Sequence, residues 1–132
     1  MIEDGFKEIA KMCINDESVP AKNMTFNAYQ EHALSTKIGW ETGLNVIYPA
    51  LGLTGEAGEV ADKVKKVIRD KSGVFSDDDK IEILKELGDT LWYLTAIAYD
   101  LGYTLEDVAV FNSNKIAERR DNNTIHGEGD NR

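Results

Sequence analysis

The sequence predicts an all-α chain, a four-helix bundle preceded by a short extra helix. Apolar residues recur at helical spacing from Ala50 through Leu53, Ala57, Val60, Ala61 and Val64 to Ile68. A second stripe runs Leu84, Leu87, Leu91, Leu94, Ala98, again at alternating steps of three and four. No stretch alternates apolar and polar residues convincingly enough for a half-buried strand. At 132 residues the chain is expected to form one domain, small enough that oligomerisation would add buried surface.

The elements follow in order. Ile2, Phe6, Ile9 and Cys13 share one helical face, so residues 2–15 predict a short amphipathic helix, and residues 1–24 are expected to comprise that helix and a linker. Thr25 is placed to cap a helix from Phe26 to Ile38, with Phe26, Tyr29, Ala33 and Thr36 along one side. Gln30 and His32 are its notable polar groups, and a lone His reads more readily as structural or surface than as a catalyst. Trp40, in the flexible stretch Gly39–Gly43, reads first as a packing aromatic and second as a platform for a nucleobase.

The next helix, from about Tyr48 to Asp70, organises the rest. Pro49 suits its first turn. Gly52, Gly55 and Gly58 interrupt it, each at a cost of about 1 kcal/mol relative to Ala. Either they leave a bare strip along which another helix approaches, or they fray the start of the helix.

After a loop at Lys71–Phe75, Ser76 caps a third helix, Asp77 to Leu101, with Asp77, Asp78 and Asp79 in the first turn, where the helix dipole favours acids. Opposite its leucine spine lie Glu82, Glu86, Asp89 and Tyr93. That face continues through Ala96 and is flanked by Trp92, so both sides of the helix are expected to be covered. Acids at the end of a covered face oppose one another's ionisation unless a cation sits among them.

Gly102 is a plausible stop, and Thr104 with Asp107 resembles a capping box for a fourth helix. Leu105, Val108, Ala109 and Ile116 are its expected core positions, with Asn112 in mid-stripe and in need of partners. Lys115 and Arg119 fall on the edge of the same side, where they either bind something or cover apolar surface and complement the dipole. Residues 25–120 are thus the expected domain, and 121–132, with little to bury, a mobile tail.

Fifteen Lys and Arg against 24 Asp and Glu give a formal charge of -9, which argues against nonspecific nucleic-acid or anionic-membrane binding. Phosphates would need intervening cations. The single Cys13 excludes an intrachain disulfide framework, and neither a signal peptide nor an apolar run of the roughly 20 residues that span a bilayer is evident, so a cytoplasmic location is expected.

Glu56-x-x-Glu59 and Glu86-x-x-Asp89 are two carboxylate pairs separated by the 26 residues from Val60 to Lys85. If their helices are antiparallel neighbours, both pairs lie at comparable distances from the connecting loop and converge into a cluster of four. Such a cluster suits Mg2+, with Mn2+ as a substitute, and phosphate is the usual partner of a carboxylate-bound Mg2+. A di-iron bundle would want Glu-x-x-His, a zinc site more Cys and His, and a P-loop a Gly-Lys-Ser/Thr, none of which is supplied here.

The run Gly52-Leu-Thr-Gly-Glu-Ala-Gly-Glu-Val60, followed by Glu86-Leu-Gly-Asp-Thr-Leu-Trp-Tyr-Leu94, resembles the MazG-like nucleoside triphosphate pyrophosphohydrolases of the all-α NTP pyrophosphatase superfamily. The likeness extends to Tyr29-Gln30 and to Asn112-x-x-Lys115-Ile-x-x-Arg119, covering roughly Phe26 to Arg120. It implies that Glu56, Glu59, Glu86 and Asp89 hold Mg2+ while water attacks the α-phosphorus of an NTP or dNTP, releasing monophosphate and pyrophosphate. It further implies phosphate contacts from Asn112, Lys115 and Arg119, base contacts from Trp40 and Tyr93, and a homodimer or homotetramer. Members commonly end the fourth helix with Arg-Tyr-Pro, whereas this chain reads Arg119-Arg120-Asp121. A phosphoribosyl-ATP pyrophosphatase on the same scaffold and a catalytically idle nucleotide- or partner-binding module are the competing expectations.

Overall fold

The computed structural model describes residues 24–37 and 46–129. The expected N-terminal helix, Trp40 and the last residues of the tail lie outside them. Four helices follow one another: α1 (Phe26–Ser35), α2 (Ile47–Lys71), α3 (Asp77–Asp100) and α4 (Leu105–Asp121). Every described element is helical, as the periodicity predicts.

The principal packing is α2 on α3. Lys71 pairs with Asp79, Lys63 with Glu86, and Gly52 meets Tyr93, so the two long helices run antiparallel with residue numbers that sum to nearly the same value along their length. Ser76 starts α3 with a capping box: its hydroxyl accepts from Asp79 N–H, and the Asp79 carboxylate accepts from Ser76 N–H (3.0 Å). Thr104 and Asp107 repeat the device at α4. Between them, α3 ends in a Schellman motif. Gly102, at φ 83°, lets its own N–H reach Tyr99 O and the Tyr103 N–H reach Ala98 O, each at 2.9 Å.

α1 is shorter than its sequence suggests, ending at Ser35 rather than Ile38. The Thr36 and Lys37 N–H groups turn back to Ala33 O and Leu34 O (3.1 Å each), the tighter bonding that closes a helix. Trp92 fixes this end, its indole N–H reaching Thr36 Oγ1 (2.9 Å) and Ala33 O (3.2 Å). Lys37 forms an almost buried ion pair with Asp100, and Gln30 Oε1 accepts from Leu105 N–H at 2.6 Å, so α1 ties the end of α3 to the start of α4.

The buried apolar core gathers at this junction: Ala33, Ala96, Ala98 and Leu105, with Pro49 and Val67 buried along α2 and Thr95 fully buried, its hydroxyl donating to Leu91 O. Three expectations are corrected. Leu84 and Leu87, expected in the spine of α3, are 43% and 48% exposed, because α1 and α4 reach only its C-terminal half; the idea that both sides of α3 are covered fails over the N-terminal half. Val108 and Ile116 are exposed and Asn112 is exposed rather than buried, because α4 is anchored at Leu105 and leaves Phe111 73% exposed farther on. The glycine strip admits another helix at Gly52 alone, since Gly55 and Gly58 face open space.

Candidate metal centre

The antiparallel register sets Glu56 of α2 opposite Asp89 of α3. One carboxylate oxygen from each of Glu56, Glu86 and Asp89 falls within 4.8 Å of the other two. Glu56 and Glu86 are half-buried, and Asp89 is exposed. Partial burial first, then the Asp89 and Glu86 charges, push the Glu56 carboxyl above the usual carboxylate range, with Glu59 adding a smaller push. Glu59, the fourth expected member, stays outside the triplet. Three residues on from Glu56, it is rotated about 60° around the helix and is exposed, which lets like charges separate into water.

Aromatic groups border the acids. A Cβ at Gly52 would stand 2.2 Å from Tyr93 Cε1, so the absent side chain is what allows the Tyr93 ring to cross α2. The Tyr93 hydroxyl is hydrogen-bonded to Tyr48, and burial, with the Tyr48 and Glu56 neighbours, raises its pKa. Trp92 stands edge-on to Tyr93, ring centroids 5.1 Å apart. The pKa of Tyr29 in α1 is likewise raised, by burial and then by the Asp89 charge.

Lys63 Nζ lies 3.1 Å from Glu86 Oε1 and 3.2 Å from Glu82 Oε2. Beyond it toward the turn, a cleft of about 220 Å³ is lined by Lys63, Lys66, Lys71, Asp79 and Glu82 among others. Asn112, Lys115 and Arg119 lie on α4, the first exposed and the other two half-buried. The Arg119 guanidinium donates to Gly129 O at 3.4 Å, and its carbonyl accepts from Thr124 N–H at 2.7 Å, so the start of the tail folds back on the end of α4. Lys63 and Tyr48 border the acids without having stood out in the sequence, whereas Tyr29 belongs to the Tyr29-Gln30 likeness. The signal for Lys63 was available, since it follows Glu56 by seven residues, close to two whole helical turns, whereas Tyr48, eight residues before Glu56, lies about 80° round the helix and gave no such signal.

The donor set fits a hard divalent cation. All three converging groups offer oxygen, and their mutual repulsion is the cost a cation would remove. Fold and site together define an all-α protein built round an acidic helical hairpin. The chain belongs to the MazG family: the MazG nucleotide pyrophosphohydrolase domain matches residues 49–124, which span α2, α3 and α4. It is also 46% identical over 85 residues to the Gene 37 protein of Mycobacterium phage L5, an alignment covering 64% of this chain and 75% of that protein. No solved structure matches it. Membership assigns the general chemistry, nucleotide pyrophosphate hydrolysis, in a typically metal-dependent family. Among the described residues, no helix is long and apolar enough to cross a membrane.

Proposed function

We propose that this protein hydrolyses nucleoside triphosphates, NTP or dNTP, to nucleoside monophosphate and pyrophosphate by water attack on the α-phosphorus, with Mg2+ as its cofactor and Mn2+ as a substitute. The carrying observation is the convergence of Glu56, Glu86 and Asp89 from two antiparallel helices of a MazG-family chain. These three would hold the ion, with Glu59 turning in from the adjacent turn as a fourth ligand. The bound ion supplies positive charge for the phosphate oxygens and acidifies water. Tyr93, fixed by Tyr48 and by the gap at Gly52, would border the sugar or base together with Trp40. Lys115 and Arg119, with Asn112, would hold phosphate.

Incubation with Mg2+ and a panel of NTPs and dNTPs should yield monophosphate and equimolar pyrophosphate. Diphosphate with orthophosphate would overturn the site of attack. Binding without turnover would support an idle module, and turnover of phosphoribosyl-ATP alone would reassign the substrate.

The active form is proposed to be a homodimer or homotetramer. Leu84 and Leu87 on α3, and Phe111 and Ile116 on α4, are large apolar residues left exposed, and a second copy is the occupant proposed to cover them. Phe111→Ser should lower the mass measured by light scattering, and a wild-type monomer would refute the assembly.

A further inference from the structure

Lys63 is a cation that reaches the triplet, through Glu86. It sits seven residues after Glu56, on nearly the same face of α2, and crosses to α3 to bridge Glu82 and Glu86, which are one turn apart. Its side chain is 26% exposed and that of Glu86 17%. Glu82 is in turn gripped from its other side by Lys85. The result is a chain of alternating charge, Lys85, Glu82, Lys63, Glu86, that ends where a Glu86 oxygen comes within 4.8 Å of oxygens of Glu56 and Asp89.

We propose that Lys63 is a positioning residue of the metal centre: by occupying Glu86 Oε1 it fixes the rotamer of Glu86 and leaves the other oxygen directed at the cation shared with Glu56 and Asp89. The inference rests on the proposed metal site. Carboxylates that bind a metal through one oxygen are ordinarily held through the other, and loss of such a holding group costs about 10- to 100-fold in metal affinity. Net charge argues in the opposite direction. Removing a lysine from the neighbourhood of an acidic cluster should, by Coulomb attraction alone, tighten the binding of a divalent cation. The sign of the effect therefore separates positioning from bulk electrostatics.

The test is a Mn2+ titration of the full chain, followed by the electron paramagnetic resonance of the free ion, alongside thermal melting without metal. Lys63→Met keeps most of the aliphatic stem and should weaken Mn2+ binding about 10- to 100-fold with little change in melting temperature. Lys63→Arg, which keeps the charge and can span the same two acids, should restore most of the affinity. Lys66→Met is the control, because Lys66 carries the same charge on the same helix but pairs with Asp62 at 2.6 Å. It should leave affinity unchanged or slightly improve it. If Lys63→Met binds Mn2+ as well as the wild type or better, matching Lys66→Met, the positioning role is overturned while the metal centre stands. If the wild type binds no Mn2+, the metal centre and this role fall together.

Discussion

The α2/α3 hairpin carries acids at two levels and treats them in opposite ways. Near the turn, Asp79 accepts from Lys71 Nζ at 2.6 Å, from Ser76 Oγ at 2.6 Å and from Ser76 N–H at 3.0 Å, and its carboxyl is held down to about 2. Seven residues further along α3, Glu86 faces Glu56 and Asp89, and the Glu56 carboxyl is pushed up. Residue type and helical spacing are alike at the two levels. What differs is the counter-charge that the described residues supply: at the turn it is enough, and at the triplet Lys63, among the described residues, pairs with one carboxylate of three. An acid that is complete without a ligand is structural, and a group of acids left in deficit is where a cation belongs.

The largest effect should come from exchanging the chemistry of the two levels. Asp89→Asn removes a group proposed to hold the cation, so turnover should fall by about three orders of magnitude, the equivalent of several kcal/mol of transition-state charge stabilisation. The melting temperature without metal should stay level or rise, because one of three crowded charges is gone. Asp79→Asn should do the reverse, lowering the melting temperature through its capping box while leaving turnover nearly intact. Steady-state rates and melts on both variants check the pair. Equal loss of turnover in the two would erase the distinction between the levels.

The backbone of α2 offers a finer version of the same contrast. Gly52 is filled by its neighbour, whereas Gly58 faces open space. Gly52→Ala would drive a methyl into the Tyr93 ring and should destabilise by about 1–3 kcal/mol, as overpacking does. Gly58→Ala meets nothing and should stabilise by up to about 1 kcal/mol through helix propensity. Urea unfolding of both variants would show the opposite signs, and a destabilising Gly58→Ala would mean that something outside the described residues approaches there.

Much of the architecture was legible because it is local. Thr25, Ser76 and Thr104 announce helix starts through side chains that bond within three residues, and Gly102 announces a stop through its backbone freedom. The paired acids were legible because a single antiparallel hairpin brings Glu56, Glu86 and Asp89 together. Glu59 was less so: shared spacing fixes a face only to within the rotation of one residue, and mutual repulsion of the carboxylates favours its exposed position. Packing beyond the hairpin was least legible. The apolar pattern of Leu84, Leu87, Val108 and Ile116 states that these positions avoid water, and it cannot state whether the cover comes from the same chain. Asn112 was misplaced for that reason, since its expected burial assumed that α4 is covered along its whole length.

The smallest prediction concerns pH and again sets one level against the other. The folded-state pKa of Asp79 lies near about 2, below the ordinary value of 3.8, so its contribution to stability is complete above pH ~4 and is lost as pH falls toward about 2. Glu56 has the opposite sign. Its raised pKa means that ionisation opposes folding, so protonation relieves the triplet as pH falls through that raised value. The hydrogen-bonded Lys71 ammonium does most to hold the Asp79 carboxyl down, so Lys71→Met should flatten the acid limb of the stability profile while leaving the Glu56 contribution in place. Saturating Mg2+ should do the converse near neutral pH, raising the melting temperature of the wild type and of Lys71→Met equally, since the ion would act at the triplet and not at the turn. Melts of both proteins from pH 2 to pH 8, with and without Mg2+, would resolve the two contributions; a Mg2+ effect that vanished with Lys71 would place the cation at the wrong end of the hairpin.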